Sequence, residues 1–297
     1  MPEKIVYLDC HSGVSGDMLL GAWLDAGLPF EHLREELKKL PVEGYELTAE
    51  PFTDKGITGT RFDVRLTVQD QPARRYTAIA ALLARSELSP WVRETASAIF
   101  RTLGEAEAAV HGVSLDEIHF HEVGAVDAIV DIVGNVIALE LLGITRVYAS
   151  PLPLTRGHLR MSHGLMPLPA PATLEILSRV KAPWVPSPIE GELVTPTGAA
   201  ILATVAHFEM PAIAIENIGY GFGKKRVIWP NCLRACLGDA YGTTQHVHND
   251  HTHEHNHVHE HEHNHVHEHE HNHVHEHEHS HEHEHSHEGD SIQNSQV

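Results

Sequence analysis

The most apolar segment of the chain, residues 126–139, predicts a helix that is buried on nearly all sides. Polar residues interrupt it at regular intervals of four, which places Asp127, Asp131 and Asn135 on one line along the helix. A buried carboxylate is costly unless a cation, a basic side chain or backbone donors compensate it. The stripe therefore predicts a divalent cation site or catalytic carboxylates at Asp127 and Asp131. Capping by Asp127 and an arginine partner for Asp131 is the structural alternative.

Around this helix, the hydrophobic pattern alternates between strand-like and helix-like segments. Short apolar or alternating runs predict strands at 5–8, 45–50, 61–67, 146–150, 213–218 and 232–237. Apolar residues at helical spacing predict helices at 18–26, 30–40, 76–86, 90–110 and 169–180. This order predicts an α/β protein (mixed α+β), in which helices pack on a mixed sheet.

Small and polar residues fill the loop between the first predicted strand and the first predicted helix. Backbone N–H groups at such a helix start can bind an anion, although the Gly-Lys-Ser/Thr of a P-loop is missing. Asp9 ends the strand, where α/β proteins often carry catalytic groups, and is predicted to be catalytic. Helix capping is the alternative role of residues 15–17. The phosphate-binding candidates in this loop are Ser12, Gly13, Ser15 and Gly16.

Two further segments combine glycine with cationic residues. Residues 155–164 include two arginines, two histidines and two hydroxyl side chains, and residues 219–225 include three glycines and two lysines. We expect both segments to be loops that donate hydrogen bonds to an anionic ligand such as a phosphate, through Arg156, His158 and Lys224. An ordinary solvated loop is the alternative for the first segment.

Histidines occur in two settings that both favour a transition metal. His119 and His121, with Glu122 beside them, precede the buried helix and are predicted to bind a metal. The second setting is residues 246–297, which contain 21 of the 29 histidines and no lysine or arginine. Three copies of an eight-residue repeat of His, Asn, Val and Glu fill 255–278, and the predicted ligands of its first copy are His255, His257, His259 and His261.

This His-rich tail predicts a metal store rather than a packed domain. It has too few apolar residues to form a core, so we expect it to be disordered. Imidazole suits Ni²⁺, Zn²⁺, Cu²⁺ and Co²⁺, and many weak ligands on one chain give a high local concentration of ligand. We therefore predict a core domain over 1–241 and a disordered His/Glu-rich metal-binding tail over 242–297.

Charge and cysteine content exclude several classes of function. Outside 246–297 the chain carries 29 acidic and 21 basic residues, a net charge of −8, which argues against binding nucleic acid through bulk charge. No segment has the length and apolarity of a membrane span, and the first residues do not resemble a signal peptide. Three cysteines provide no disulfide framework, so we expect a cytoplasmic protein.

Four stretches of the chain form an ordered set of motifs. They read YLDCHSGVSGDMLLGA at 7–22, HFHEVGAVDAIVD at 119–131, TPTGAA at 195–200 and GYGFG at 219–223. Together they resemble the LarC family of nickel insertion proteins, over roughly residues 4–238. Longer members of that family continue past the position of Gly238 into a further domain, where this sequence has the His-rich tail.

The resemblance implies insertion of Ni²⁺ into pyridinium-3,5-bisthiocarboxylic acid mononucleotide by a cyclometallase of the lyase or chelatase class. It implies two Ni–S bonds, one Ni–C bond, consumption of CTP and use of Mn²⁺ or Mg²⁺. The product is the nickel-pincer cofactor, with lactate racemase apoenzyme as its recipient. A separately encoded C-terminal LarC part is an implied partner, since longer members carry nucleotide binding there. The alternative is a non-catalytic nickel chaperone or store that acts through the tail.

Overall fold

A seven-stranded mixed sheet frames the protein in the computed structural model, which describes residues 3–68, 74–120, 126–161 and 164–242. The strand order is β11 (Ala206–His207), β6 (Arg146–Ala149), β1 (Lys4–Asp9), β13 (Cys232–Ala240), β12 (Ile213–Phe222), β3 (Ile57–Leu66) and β2 (Tyr45–Asp54). β1 pairs in parallel with β6 and antiparallel with β13, so the sheet is mixed. β2 and β3, at the predicted strands 45–50 and 61–67, form an antiparallel pair.

Helices pack on this sheet and on one another. Within the described residues they are α1 (Gly16–Asp25), α2 (Phe30–Leu37), α3 (Tyr76–Arg85), α4 (Pro90–His111), α5 (Val126–Leu142), α6 (Pro171–Arg179) and α7 (Pro196–Val205). α1 packs on β12, β3 and β13, while α5 packs on α1, α2 and α4. The predicted fold class and the predicted buried helix are both confirmed. No helix in the described ranges is long and apolar enough to cross a bilayer.

Short strands form three pairs outside the main sheet. They are β4 (Arg74–Arg75) with β5 (His119–Phe120), β7 (Leu152–Arg156) with β10 (Trp184–Glu190), and β8 (His158–Met161) with β9 (Gly164–Pro167). The prediction of a loop over 155–164 is therefore wrong for most of that segment. The sequence signal for a strand was the alternation of polar His158 and Arg160 with apolar Leu159 and Met161.

Glycines in β12 allow α1 to lie against the strand backbone. A β-carbon on Gly219 would come within 2.0 Å of the Ala22 carbonyl oxygen, and one on Gly221 within 1.8 Å of the Met18 carbonyl oxygen. The glycine-rich segment predicted as a loop is thus a continuation of the strand as far as Phe222. Its glycines allow α1 to approach the strand closely, and they do not form a turn.

The side chain of Asn135 joins α5 to α1. Its amide oxygen accepts a hydrogen bond from Trp23 Nε1 at 2.7 Å. Its amide nitrogen donates to the carbonyl oxygens of Gly16 at 3.0 Å and Asp131 at 2.8 Å. Because Asn135 is only 1% exposed, these bonds are shielded from water. One member of the polar stripe is therefore structural, and it holds the start of α1 beside Asp131.

Candidate functional site

An acidic cavity of about 230 Å³ lies where the sequence motifs meet. Three of the four motif stretches line it, and Lys224, which also lines it, directly follows the fourth. Strands β3 and β8 complete its walls. The polar side chains that line the acidic cavity are Ser15, Asp17, Asp63, Asp127, Asp131, Glu192, Thr195, Thr197 and Lys224.

Backbone hydrogen bonds fasten two of the loops that line the acidic cavity. The Val14 N–H donates to the Leu193 carbonyl oxygen at 2.9 Å, and the Thr195 N–H donates to the Val14 carbonyl oxygen at 3.1 Å. Thr195 also caps α7, because its hydroxyl oxygen accepts a hydrogen bond from the Gly198 N–H at 3.1 Å. The starts of α1 and α7 are consequently held next to each other at the cavity.

Asp131 is the carboxylate whose environment is most unusual. The residue is only part-buried because it lines the cavity, but its Oδ1 is shielded from solvent and has no hydrogen-bond partner among the described residues. Burial, followed by the negative charges of Asp17 and Asp127, raises the pKa of Asp131 well above the ordinary carboxyl value. The predicted arginine partner for Asp131 is not found in the described parts of the chain. The carboxyl group is therefore available to a proton or a ligand.

Glycine at the start of α1 makes room for this carboxyl group. A β-carbon on Gly16 would lie 2.6 Å from the Asp131 β-carbon and 2.7 Å from its Oδ2. Real β-carbons do not approach other heavy atoms so closely, so any larger residue at Gly16 must displace Asp131. Gly16, whose backbone is predicted to bind phosphate, thus lies against the Asp131 carboxyl group, and its phosphate-binding role stays a prediction.

Carboxylates dominate the charge of the acidic cavity, since five acidic side chains face a single lysine. Asp63 forms an ion pair with Lys224 at 2.6 Å, and Asp17 accepts a hydrogen bond from the Ser15 hydroxyl. Burial lowers the pKa of Lys224, but the contact with Asp63 and the nearby Asp17 and Asp131 raise it overall. A cavity with this excess of negative charge attracts cations and repels phosphate.

Oxygen ligands of the type that Mn²⁺ and Mg²⁺ prefer are present in the acidic cavity. Asp127 and Asp131 lie one turn apart on α5, and Asp131 has the unpaired oxygen. No three His, Cys, Asp or Glu side chains of the described segments form a metal site by themselves. A divalent cation bound here would therefore need further ligands from a substrate or from water, as Mg²⁺ commonly does.

Three residues of the first loop lie away from the acidic cavity. Asp9, predicted to be catalytic, forms an ion pair with Arg234 and accepts a hydrogen bond from the His11 N–H at 3.1 Å. The Ser12 hydroxyl donates to the Pro230 carbonyl oxygen at 3.0 Å. A β-carbon on Gly13 would clash with the backbone of Leu193. Structural contacts thus explain Ser12 and Gly13, and the roles predicted for all three stay predictions.

The other predicted ligands also lie outside the acidic cavity or outside the described residues. His119 is exposed in β5, and its Nε2 accepts a hydrogen bond from Arg75 Nε at 2.9 Å. Arg156 and His158 are exposed on β7 and β8. The predicted metal ligands that fall outside the described residues are His121, Glu122, His255, His257, His259 and His261.

Sequence reasoning missed three of the five acidic residues that line the cavity, namely Asp17, Asp63 and Glu192, and considered Asp17 only as part of a helix cap. Asp63 lies in the middle of β3, where its alternation with apolar neighbours indicated only an exposed strand face. Glu192 precedes the third motif and carried no signal of its own. Both come to the cavity through sheet pairing and loop packing, which no local pattern encodes.

The fold and cavity define a class of protein in which an α/β core encloses a cavity lined by clustered carboxylates. A family model described as nickel insertion protein matches residues 6–266, and the chain belongs to this family. The predicted resemblance is thereby confirmed.

Curated relatives support the same conclusion. The chain is 51% identical over 240 residues to a putative nickel insertion protein of Thermomicrobium roseum, covering 80% of this chain and 59% of the relative. It is 50% identical over 236 residues to one of Roseiflexus castenholzii, covering 80% and 60%. It is 48% identical over 238 residues to the pyridinium-3,5-bisthiocarboxylic acid mononucleotide nickel insertion protein of Desulfitobacterium hafniense, covering 80% and 58%.

The chain spans about three fifths of the length of these relatives. No solved structure matches it.

Proposed function

We propose that the protein inserts Ni²⁺ into pyridinium-3,5-bisthiocarboxylic acid mononucleotide, as the name of the Desulfitobacterium hafniense relative states for that protein. The observation that carries the proposal is the unpaired Asp131 oxygen in a cavity lined by five carboxylates. Ni²⁺ is the cationic cargo, and the acidic cavity complements its charge. The pyridinium ring carries one positive charge and two anionic thiocarboxylate groups, whose charge the Ni²⁺ offsets.

Asp131 is the residue we assign to proton transfer. Insertion replaces one hydrogen on the ring carbon between the two thiocarboxylate groups by nickel, while the two sulfurs complete the attachment. The C–H bonding electrons become the Ni–C bond, the proton moves to the Asp131 carboxylate, and nickel stays divalent. The raised pKa of Asp131 makes its ionised form a stronger base than an ordinary carboxylate. Asp127 and Asp17 stabilise positive charge beside it.

The remaining requirements of the proposed reaction extend beyond this cavity. As the alternative role of these carboxylates, Asp127 and Asp131 would hold Mn²⁺ or Mg²⁺, which would supply charge neutralisation, and Asp131 would then be a ligand and not the base. We also propose that the reaction consumes CTP and that a separately encoded C-terminal part takes part in it. Lactate racemase apoenzyme is the proposed recipient of the finished cofactor.

The test of the reaction is nickel insertion by the full chain. Purified protein, substrate, Ni²⁺, Mn²⁺ and CTP are mixed with or without the C-terminal portion of a relative, and the product is detected by its mass increase. We expect Asp131→Asn to lower the insertion rate at least 100-fold, in line with the loss of a general base. Asp116→Asn, an exposed change outside the acidic cavity, is the control. Equal rates for Asp131→Asn and the unmodified chain disprove the assignment.

A second candidate function is nickel storage or delivery through the tail. The observation that favours it is the threefold repeat of eight residues within a segment that holds 21 histidines. Removing residues 247–297 is expected to lower the number of Ni²⁺ ions bound per chain several-fold, because most of the imidazoles are lost. Calorimetric titration of both chains measures this number, and an unchanged stoichiometry excludes a storage role for the tail.

A further inference from the structure

A second, basic pocket of about 690 Å³ shares Lys224 with the acidic cavity. It lies between the β2–β3 hairpin and the segment that follows β12. Five basic side chains and one acidic side chain line it: Lys55, Arg61, Lys224, Lys225, Arg226 and Asp54. The two neighbouring sites thus have opposite charge.

Three of the five cations in the basic pocket already have protein partners. Lys55 donates to the carbonyl oxygens of Val227 at 2.9 Å and Trp229 at 3.3 Å, which fastens the segment after β12. Lys224 is paired with Asp63. Lys225 donates to the Glu190 carbonyl oxygen at 2.5 Å. These contacts shape the pocket. Asp54 forms an ion pair with Lys55 at 3.5 Å, whereas the carbonyl partner of Lys225 does not neutralise the charge of that lysine.

Two arginines of the basic pocket remain available to a ligand. The Arg61 guanidinium stacks on the Phe52 ring at 3.4 Å, and its Nε is buried without a hydrogen-bond partner. Stacking holds the planar group in one orientation, so its donors are preorganised. Arg226 is exposed and faces the same pocket. An unpaired buried donor is costly, and an anionic ligand would remove that cost at Arg61.

An unpaired acceptor lies beside these donors. Asn231, which also lines the basic pocket, is 5% exposed and donates from Nδ2 to the Lys225 carbonyl oxygen at 2.9 Å. This bond directs its Oδ1 away from the Lys225 carbonyl, and Oδ1 has no hydrogen-bond partner. Arginine donors with an adjacent amide acceptor suit a phosphate ester whose sugar carries hydroxyl groups.

We propose that the basic pocket binds the phosphate ester of a nucleotide, with Arg61 and Arg226 as the principal contacts. The inference rests on the proposed function for one point, which is the nature of the nucleotide. The mononucleotide of the proposed reaction carries at one end the ring whose two sulfurs take up Ni²⁺, and at the other end an anionic phosphate. Because Lys224 borders both sites, one such molecule can place its ring in the acidic cavity and its phosphate in the basic pocket.

The experiment compares two ligands that differ only in the phosphate. Binding of nicotinamide mononucleotide and nicotinamide riboside to the full chain is measured by calorimetry without metal. A pH of about 8 keeps the tail imidazoles neutral. We expect the mononucleotide to bind at least tenfold more tightly. Arg61→Met and Arg226→Ala should each weaken mononucleotide binding about tenfold, the effect of one charge-assisted contact, and leave riboside binding unchanged.

Arg85→Ala is the matched control, since Arg85 is an exposed arginine of α3 that lines neither site. Equal binding of the two ligands, no measurable binding of either, or unchanged mononucleotide binding in both arginine variants overturns the proposal. CTP and cytidine form a second pair of ligands. If Arg226→Ala abolishes the preference for CTP over cytidine but leaves the preference for the mononucleotide over the riboside unchanged, the basic pocket binds the triphosphate. Its assignment to the mononucleotide then fails.

The binding test separates this inference from the proposed reaction. It uses neither nickel nor turnover, so a phosphate preference that depends on Arg61 and Arg226 stands even when no nickel is inserted. Asp131→Asn should keep the preference for the mononucleotide over the riboside, because Asp131 lies in the acidic cavity and not in the basic pocket. Conversely, if Arg61→Met and Arg226→Ala leave the rate of nickel insertion unchanged, only the proposed phosphate site is disproved, and the proposed reaction stands.

Discussion

Two successive turns of α5 carry polar residues with opposite environments. At Asn135 the donors and the acceptor of the side chain are all engaged, and the residue is 1% exposed. At Asp131, four residues earlier, one carboxylate oxygen is shielded from water and has no hydrogen-bond partner. On one face of α5, therefore, the hydrogen-bonding groups of Asn135 are all satisfied, while one turn earlier a carboxylate oxygen of Asp131 is not.

This difference separates stability from function along the contact between α1 and α5. Asn135 satisfies the Trp23 indole and the first carbonyl of α1, so it stabilises the packing that forms the acidic cavity. Asp131 destabilises the same contact, because its carboxyl group is desolvated and lies near Asp17 and Asp127. Buried carboxyl groups without a neutralising partner are typical of active sites, where a bound substrate supplies the missing interaction.

The largest effect on stability is expected at Asn135, whose side-chain hydrogen bonds join α5 to α1. Asn135→Leu leaves the Trp23 N–H and the Gly16 carbonyl unpaired in the core, and the larger branched side chain must also repack. We expect the free energy of unfolding to fall by about 3–5 kcal/mol, from at least two unsatisfied buried groups. Urea denaturation measures it. Leu141→Gln at an exposed site of the same helix should change it by less than about 0.5 kcal/mol.

A smaller loss is expected where α1 approaches the carboxyl group. Gly16→Ala places a methyl group within 2.8 Å of three Asp131 side-chain atoms. We expect a loss of about 1–3 kcal/mol, as for other overpacked sites, together with reduced nickel insertion because Asp131 must move. In Gly134→Ala on α5 the nearest atoms are the methyl groups of Leu20, at 3.2 Å, so this control should be close to neutral. Equal losses for the two variants contradict the explanation.

A gain in stability is expected when the carboxyl group of Asp131 is replaced. Asp131→Asn removes a carboxyl group whose pKa is raised on folding, so the cost of ionising it in the folded state disappears. We expect a gain of about 1–2 kcal/mol at pH 7, which corresponds to a few degrees in thermal unfolding. The gain should vanish below pH ~4, where the carboxyl group is protonated in both the folded and unfolded chains. A loss at pH 7 indicates a structural role for Asp131.

The smallest effect on stability is expected at His119, which lies outside the α1–α5 contact. His119→Ala should change the unfolding free energy by less than about 0.5 kcal/mol, since the residue is exposed and loses only its bond with Arg75. If His119 delivers nickel, the variant loses most insertion when tested without the tail, with any C-terminal part supplied and nickel in excess. Unchanged insertion under these conditions assigns His119 to the contact with Arg75 alone.

Much of the fold follows from local pattern. The apolar run over 126–139, the alternation in 45–50 and 61–67, and the helical spacing in 90–110 each predict the element that forms there. The failures, at 155–164 and 219–222, have one origin. Glycine and polar residues indicate a turn when read locally, whereas here they belong to short paired strands and to a close helix–strand contact. The partners that decide between these roles are distant in the sequence.

The sequence by itself determined that Asp127, Asp131 and Asn135 share one face of a buried helix, because helical period depends only on neighbouring residues. It also determined membership of the nickel insertion protein family, through four ordered motifs. Only the tertiary structure decided that Asn135 is paired and Asp131 is not, and that Arg61 and Arg226 line one pocket. Those outcomes depend on how distant segments pack, and packing satisfies some polar groups while it isolates others.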